Sequence, residues 1–294
     1  MRLNKSRGYT AFLVLNHIIL AILAVLCIFP ILHVAALSLS SSTAASSGKV
    51  VLFPVEFNLK SYTFVMQNND FLRAFGVSVL RVALGVPINV LMTIIVAYPL
   101  SRKKSQFRAK TFFTWFFLIT MLFGGGLIPW YMIIRETGLL DSIWALVIPN
   151  AIPVFSVILL MNYFRDIPAE FEEAAYMDGA GHWTILWKIF LPISTPTLAT
   201  VTLFSLITHW NSWFDGLILM NSPTNYPLQS YMQTIIINID PTRITQRDLD
   251  LLKLVNEKTT KSAQILIAMI PIICVYPFLQ KYFTTGLVLG GIKG

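Results

Sequence analysis

The sequence predicts an all-α, polytopic membrane protein with six transmembrane helices and both termini in the cytoplasm. Three observations carry that prediction. Charged residues are 12% of the 294-residue chain, about half of the roughly 25% usual in soluble domains. Hydrophobic residues reach 55% and mean hydropathy is +0.68, more apolar surface than one water-soluble core can bury. The apolar residues also gather in runs long enough to cross about 30 Å of hydrocarbon at 1.5 Å per residue. These runs lack the short alternating pattern of barrel strands.

The first run, residues 9–37, follows Arg2, Lys5 and Arg7. Val34-Ala35-Ala36 resembles a signal-peptide cleavage site, but the run far exceeds the roughly 7–15 apolar residues of a signal peptide. It reads as a retained helix. Five more runs follow at 75–100, 111–134, 142–164, 197–220 and 262–284. Between the second and third lie Arg102, Lys103, Lys104, Arg108 and Lys110, whereas the connection 135–141 has only Arg135. Basic residues beside short loops mark the cytoplasmic side, which places the N-terminus, the 101–110 loop and the C-terminus inside.

Two outer segments are polar. Residues 38–74 open with the small-polar linker SLSSSTAASSG and continue through a docked turn at Pro54. Residues 221–261 contain a turn at Asp240-Pro241-Thr242 and a short helix over 247–256. That segment carries Arg243, Arg247, Lys253, Lys258 and Lys261 on the outside, against the charge rule; Asp240, Asp248, Asp250 and Glu257 offset them. Neither segment is large enough to stand alone, so residues 1–294 read as a single transmembrane domain. The net charge of +8 follows from basic residues flanking the spans and does not imply nucleic acid. Cys27 and Cys274 fall within apolar runs, without the spacing of a disulfide framework or a metal site.

The connection between spans four and five, RDIPAEFEEAAYMDGAGHWTILWKIFLPISTP from Arg165 to Pro196, reads as helix, break, helix. Pro168 suits a first turn, and Glu170 and Glu172 suit the positive end of a helix dipole. Gly179 and Gly181 stop that helix. Trp183, Leu186, Trp187 and Phe190 then form a stripe suited to the membrane interface, before Pro192 and Pro196 close the segment. Ala174 and Ala175 are small enough for another surface to approach. An interfacial helix and a protein-docking element both fit this pattern.

Glu173-Ala174-Ala175, Asp178-Gly179-Ala180, then Ile189, Leu191 and Pro192 together resemble the EAA loop of ABC importer permeases. The resemblance implies a coupling helix that inserts into a cleft on a cytoplasmic ATPase dimer and rocks the membrane helices as that dimer closes. Glu172 and Glu173 would supply charge at the interface, Ala174 and Ala175 close packing, and Gly179 the turn. The end of the chain, TTGLVLGGIKG, is similar to the tail of the smaller permease of maltose-type sugar importers, which reaches into the ATPase dimer; Gly290, Gly291, Lys293 and Gly294 match it. The longer outer loop 221–261 resembles a Gram-positive branch that handles complex oligosaccharides.

What the family implies is a bacterial cell-membrane, multi-pass permease for a carbohydrate. Its partners would be a homologous second permease in a heterodimer, the ATPase dimer and an extracytoplasmic solute-binding lipoprotein. The chain itself would be non-catalytic and without cofactor, with ATP and Mg on the ATPase. In keeping with this, the chain has no GxxxxGK[ST] phosphate loop, and Gly124-Gly125-Gly126 reads as helix flexibility or close packing. An autonomous secondary transporter or channel is the rival reading, but it would need clustered intramembrane acids or a filter.

Polar groups within spans are costly in lipid and face the bundle interior. Here they are Arg81, Asn89, Asn150, Asn162, His209, Asn211 and Asp215. Interhelical hydrogen bonding accounts for them. A translocation path formed by His209, Trp210, Asn211, Trp213 and Asp215 is the alternative, since sugars favour polar groups beside aromatic faces. Asp215 is expected near the outer end, where a charge is cheap. No nucleophile or metal-ligand set accompanies these residues.

Overall fold

A computed structural model describes residues 7–237 and 257–290, with side chains over 8–234 and 257–278. Helix dominates, and no strand occurs among the described residues. The expected turn at Asp240-Pro241-Thr242, the helix over 247–256 and the residues Arg2, Lys5, Gly291, Lys293 and Gly294 lie outside the described residues. The chain forms two compact units, Met1–Asn69 with Asp240–Ile270, and Asp70–Ile239 with Pro271–Gly294.

In the first unit, α1 (Arg7–Ser38) has a mean hydropathy of 2.9 over its most apolar window, and none of that window is buried. Leu15, Ile22, Val25 and Leu26 are all more than half exposed, a surface that lipid or another apolar partner must cover. The small-polar stretch after it is ordered. Ser41 caps α2 (Ser42–Ser46) by accepting from the Ala44 amide at 3.1 Å. Ser40 donates to the Ala36 carbonyl at 2.6 Å and accepts from the Val55 amide at 3.0 Å, which fixes the turn expected at Pro54. Serine competes with the backbone for hydrogen bonds, and here it supplies the partners that a loop otherwise draws from water. α3 (Lys60–Gln67) is joined to the later part of the unit by Ser61 Oγ to Thr259 Oγ1 at 2.9 Å.

The second unit opens with α4 (Asn69–Ser101), which is built inside out. Ser78, Arg81, Gly85, Asn89 and Thr93 fall on one buried face, whereas Leu72, Val79, Leu80 and Leu91 are exposed. The 3–4 spacing is that of an amphipathic helix, with the polar side turned inward as hydrocarbon requires. Several later spans are bent. The 111–134 run is α5 (Lys110–Leu122) and α6 (Leu127–Glu136), at 114° across Gly124-Gly125-Gly126. Each glycine costs a helix about 1 kcal/mol, and Gly126 takes φ +88°, so three in a row end α5. The 142–164 run is α7 (Ile143–Val147), a turn of 3-10 helix over Ile148–Asn150, and α8 (Val154–Asp166), bent by 43°. Pro149 and Pro153 lack the amides that continuity needs.

The 165–196 loop holds α9 (Ala169–Met177), α10 (His182–Ile185), a π-helical turn over Leu186–Phe190, and α11 (Leu191–Ile193). The 197–220 run breaks after α12 (Thr195–Asn211) and resumes as α13 (Phe214–Leu219). α14 (Leu228–Ile237) follows, and α15 (Glu257–Gly290) contains the 262–284 run. Among the described residues, three helices are each long and apolar enough to cross a membrane, and up to six if each bent pair is one span. One core of this unit gathers Tyr98, Leu160, Phe164, Ile185, Leu186 and Phe190 beside the 165–196 loop; another joins Ile134, Ala145, Leu146 and Leu219.

Candidate functional site

The EAA-type residues form a helix with a defined stop. Pro168 precedes the first helical residue of α9, and Glu170 and Glu172 lie in its first turn. At the other end the Gly179 amide donates to the Tyr176 carbonyl at 3.0 Å and the Ala180 amide to the Ala175 carbonyl at 2.9 Å, with Gly179 at φ +77°. This paired 5→2 and 6→1 pattern is the Schellman motif, which places a left-handed residue just past the cap and is frequently accompanied by an apolar contact across it. Ala175 is buried and Ala180 packs against the same core. The spacing of Ala175, Gly179 and Ala180 is therefore the spacing of one helix terminus. A Cβ on Gly179 would meet nothing within 4 Å, so the glycine answers to backbone conformation and not to crowding within this chain.

The outward face is left open. Glu173, Ala174, Asp178 and Gly179 are exposed, as are the large apolar Phe171, Met177 and Trp183, Met177 at 89%. Further along, Leu191 is buried, Ile189 half-buried and Pro192 exposed. The stripe expected at the membrane interface is split: Leu186 and Phe190 are buried, whereas Trp183 and Trp187 are exposed. The π turn changes the angular step, so residues that share a face at α-helical spacing do not do so here.

A residue that topology counting treats as a loop charge holds this helix in place. Arg102, just past α4, pairs with Glu172 at 2.6 Å, their side chains only 7% and 14% exposed. Its guanidinium carbon lies 4.4 Å from the ring centres of both Tyr98 and Phe190, a stacked position suited to arginine and not to lysine. The other Glu172 oxygen accepts from the Tyr176 hydroxyl at 3.1 Å, whose oxygen lies 2.9 Å from His182 Nδ1. Burial, then the hydrogen bond to Glu172, pushes the Tyr176 hydroxyl up to about 12, so it remains the donor. No spacing rule relates Arg102 to Glu172. The only trace in the sequence is an arginine directly after a helix that ends in tyrosine, proline, leucine and serine.

The intramembrane polar residues gather around Arg81, which is fully buried. Its guanidinium donates to both carboxylate oxygens of Asp215, to the Ser212 carbonyl and the Leu146 carbonyl at 3.4 Å, and to His209 Nδ1 at 3.4 Å. Ser212 caps α12, Leu146 lies in the last turn of α7, and Asp215 lies in the first turn of α13. One cation thus serves two carbonyl ends and a carboxylate at a helix start, each placed as helix dipoles favour. This accounts for the break in the 197–220 run.

Asp215 also accepts from Ser212 Oγ at 2.7 Å and the Gly216 amide at 2.9 Å. It is therefore a buried, paired charge within this chain. Of the residues suggested to line a path, His209, Trp210 and Asp215 are buried within this chain, and Asn211 and Trp213 are exposed. Trp210 meets Phe75 edge-on at 5.7 Å. With its amide turned to donate, Asn89 reaches the carbonyls of Gly85 and Asn150, each at 3.1 Å. Asn162 is exposed. Interhelical bonding therefore accounts for Arg81, Asn89, His209 and Asp215.

Comparison with known proteins agrees with the EAA-type loop. Residues 61–288 match the family described as binding-protein-dependent transport system inner membrane component. The chain is 35% identical over 275 residues to the polygalacturonan/rhamnogalacturonan transport system permease protein YtcP of Bacillus subtilis, covering 94% of this chain and 96% of that one. It is 34% identical to Protein LplC of the same organism, over 99% and 98% of the two chains. Among solved structures, a chain of a bacterial ABC transporter involved in import of the acidic polysaccharide alginate superposes with a TM-score of 0.88. That chain is 34% identical, and 95% of this chain and 98% of it are covered. The chain belongs to the family of binding-protein-dependent transport system inner membrane components, the membrane-embedded permeases of ABC importers.

Proposed function

We propose that this chain is one of two homologous transmembrane subunits of an ATP-driven importer and forms half of the pathway for an oligosaccharide. It crosses the membrane six times with both ends in the cytoplasm, α5 with α6 and α7 with α8 each serving as one bent span, and α12 with α13 serving as the fifth. ATP and Mg are handled by a separate ATPase dimer, and an extracytoplasmic solute-binding lipoprotein delivers the sugar. The 165–196 loop docks on the ATPase and converts its closure into alternating access. Gly290, Gly291, Lys293 and Gly294 reach the same dimer. The observation that carries the coupling role is the Schellman-stopped α9, whose Ala174, Met177 and Phe171 remain exposed beside Glu173. The relatives favour carbohydrate: polygalacturonan/rhamnogalacturonan for one, alginate for another, and maltodextrin for a Bacillus subtilis permease 26% identical to this chain.

The test is a mild-detergent purification of the chain from its native membranes, before and after cross-linking. Co-elution of a second permease and an ATPase subunit, with vanadate-sensitive turnover, is expected. A chain that still elutes alone after cross-linking would sink the importer reading and favour an autonomous transporter. For topology, a cysteine at Ser46 should react with an impermeant thiol reagent on whole cells; labelling only after lysis reverses the orientation.

A further inference from the structure

The ATPase-docking loop is continuous in sequence with α8 on one side and with α10 to α12 on the other, so those helices follow it through the backbone. α4 has no such link. It is far from the loop in sequence, yet it carries the buried polar face with Arg81 and Asn89. Tyr98 and Leu100 of α4 share an apolar core with Ala175, Ile185, Leu186 and Phe190 of the loop, and the Arg102 cluster adds a buried ion pair to that packing. The Arg102 guanidinium is held between the Tyr98 ring of α4 and the Phe190 ring of the π turn. It bonds Glu172 of α9 at 2.6 Å, and its Nε and Nη2 also reach Ser101 Oγ at 3.3 and 3.2 Å.

The surrounding contacts make this a rigid joint. Tyr98, Phe164 and Phe190 meet edge-on at 5.5 to 6.3 Å. Arg165, in the last turn of α8, donates to the Leu100 carbonyl at 3.1 Å, so the carbonyl end of α4 is also occupied. A charge-assisted bond with both partners largely removed from water has few competing arrangements.

We infer that Arg102 is a positioning residue for transport: through Glu172 it fastens α4 to the coupling helix, so that α4 moves with the loop when the ATPase closes. This rests on the importer reading above and adds to it the path by which force reaches the second span. The pair acts within one subunit and needs no contact with sugar or nucleotide.

The test uses the assembled complex, with Cys27 and Cys274 of this chain replaced by serine, and needs no substrate. Spin labels are placed at Lys104, beyond Arg102, and at Glu170 in the first turn of α9; both positions are exposed. Their separation is read without nucleotide and with ATP plus vanadate. In the otherwise unaltered complex the separation should be the same in both states. In Glu172→Gln, which keeps the side chain's shape, and in Arg102→Met, it should shift with nucleotide on the order of a few ångström. A purely structural role would not give a nucleotide-dependent difference.

A separation that changes in the unaltered complex overturns the inference, because the joint is then not rigid. A separation that stays fixed in both variants overturns it too, because the pair is then not what holds α4. Loss of assembly in Glu172→Gln would assign the pair to folding and also overturn it. Absence of an ATPase subunit from the unaltered complex would instead sink the importer reading, and that failure is seen before any variant is compared.

Discussion

Removing one half of the Arg81–Asp215 pair should cost more than removing both. In Arg81→Met, the Oδ2 of Asp215 loses its only donor among the described residues, whereas Oδ1 keeps Ser212 Oγ at 2.7 Å and the Gly216 amide at 2.9 Å. The Leu146 and Ser212 carbonyls each lose the guanidinium as well. Breaking a buried pair on one side costs about 3–5 kcal/mol, because the remaining charge is left uncompensated. Replacing both halves with apolar side chains removes that charge. In Arg81→Met/Asp215→Leu the remaining penalty is then the unpaired backbone groups, about 1–3 kcal/mol. The double variant should therefore be more stable than Arg81→Met alone, with a coupling energy of about 2 kcal/mol or more. Equilibrium unfolding in mixed micelles on raising the sodium dodecyl sulfate fraction, followed by tryptophan fluorescence, reads these differences. Single-variant losses below about 1 kcal/mol, or a double loss equal to the sum of the singles, would refute the reasoning, since an isolated buried charge cannot be that cheap.

Gly179→Val should fold, because a Cβ there meets nothing within 4 Å, but the φ of +77° should cost about 1–2 kcal/mol and abolish ATPase co-elution. Gly179→Asn should retain more of that co-elution, since asparagine tolerates the left-handed region. On α4, Gly85→Ala should destabilise the fold by about 1–3 kcal/mol, because its Cβ would lie 2.4 Å from His209 Nε2, whereas Gly76→Ala meets nothing and should be neutral or better; thermal unfolding in detergent separates the two. Asp141 accepts from Asn225 Nδ2 and from the Asn221 and Ser222 amides. These bonds, Asn225's first, lower its pKa from the ordinary 3.8. Its folded pKa lies below the unfolded one, so its contribution to stability is present above the ordinary carboxylate range and is lost as pH falls through the depressed value. The stability gap between the natural chain and Asp141→Asn should thus be widest near neutral pH and close on acidification; a gap that widens toward acid would contradict this.

The helical class and most of the coupling loop are legible in the sequence because both depend on local chemistry. A run of apolar residues reports its solvent wherever it lies in the fold. Ala175, Gly179 and Ala180 report a helix end, because the Schellman motif is closed within a few residues. The breaks are less legible. Gly124-Gly125-Gly126 and the prolines at 149 and 153 are visible signals, but hydropathy averages over them and returns one continuous run for each pair. The break between Asn211 and Phe214 has no local signal of that kind. It depends on Arg81, more than a hundred residues earlier, which takes the Ser212 carbonyl and the Asp215 carboxylate. For the same reason the polar residues from His209 to Asp215 suggest a path when read in order. In the folded chain His209 and Asp215 turn toward Arg81, while Asn211 and Trp213 are exposed.

Arg102 shows how one residue can serve two arguments, only one of which survives folding. The charge rule counts it with Lys103, Lys104, Arg108 and Lys110 as a loop cation that stays on the cytoplasmic side. In the folded chain it is buried between two rings and neutralised by Glu172. Its charge is then no longer presented to a membrane surface. The orientation does not need it, because Lys103, Lys104 and Arg108 remain exposed and outnumber the single Arg135 of the next connection. Arg102→Met should therefore leave the topology unchanged, with a cysteine at Ser46 reacting with an impermeant thiol reagent as in the chain that keeps Arg102. Glu172, in contrast, should lose its partner and with it the hold of α9 on α4. An inverted labelling pattern in Arg102→Met would mean that the cation acts during insertion, before its partner rings and carboxylate are assembled around it.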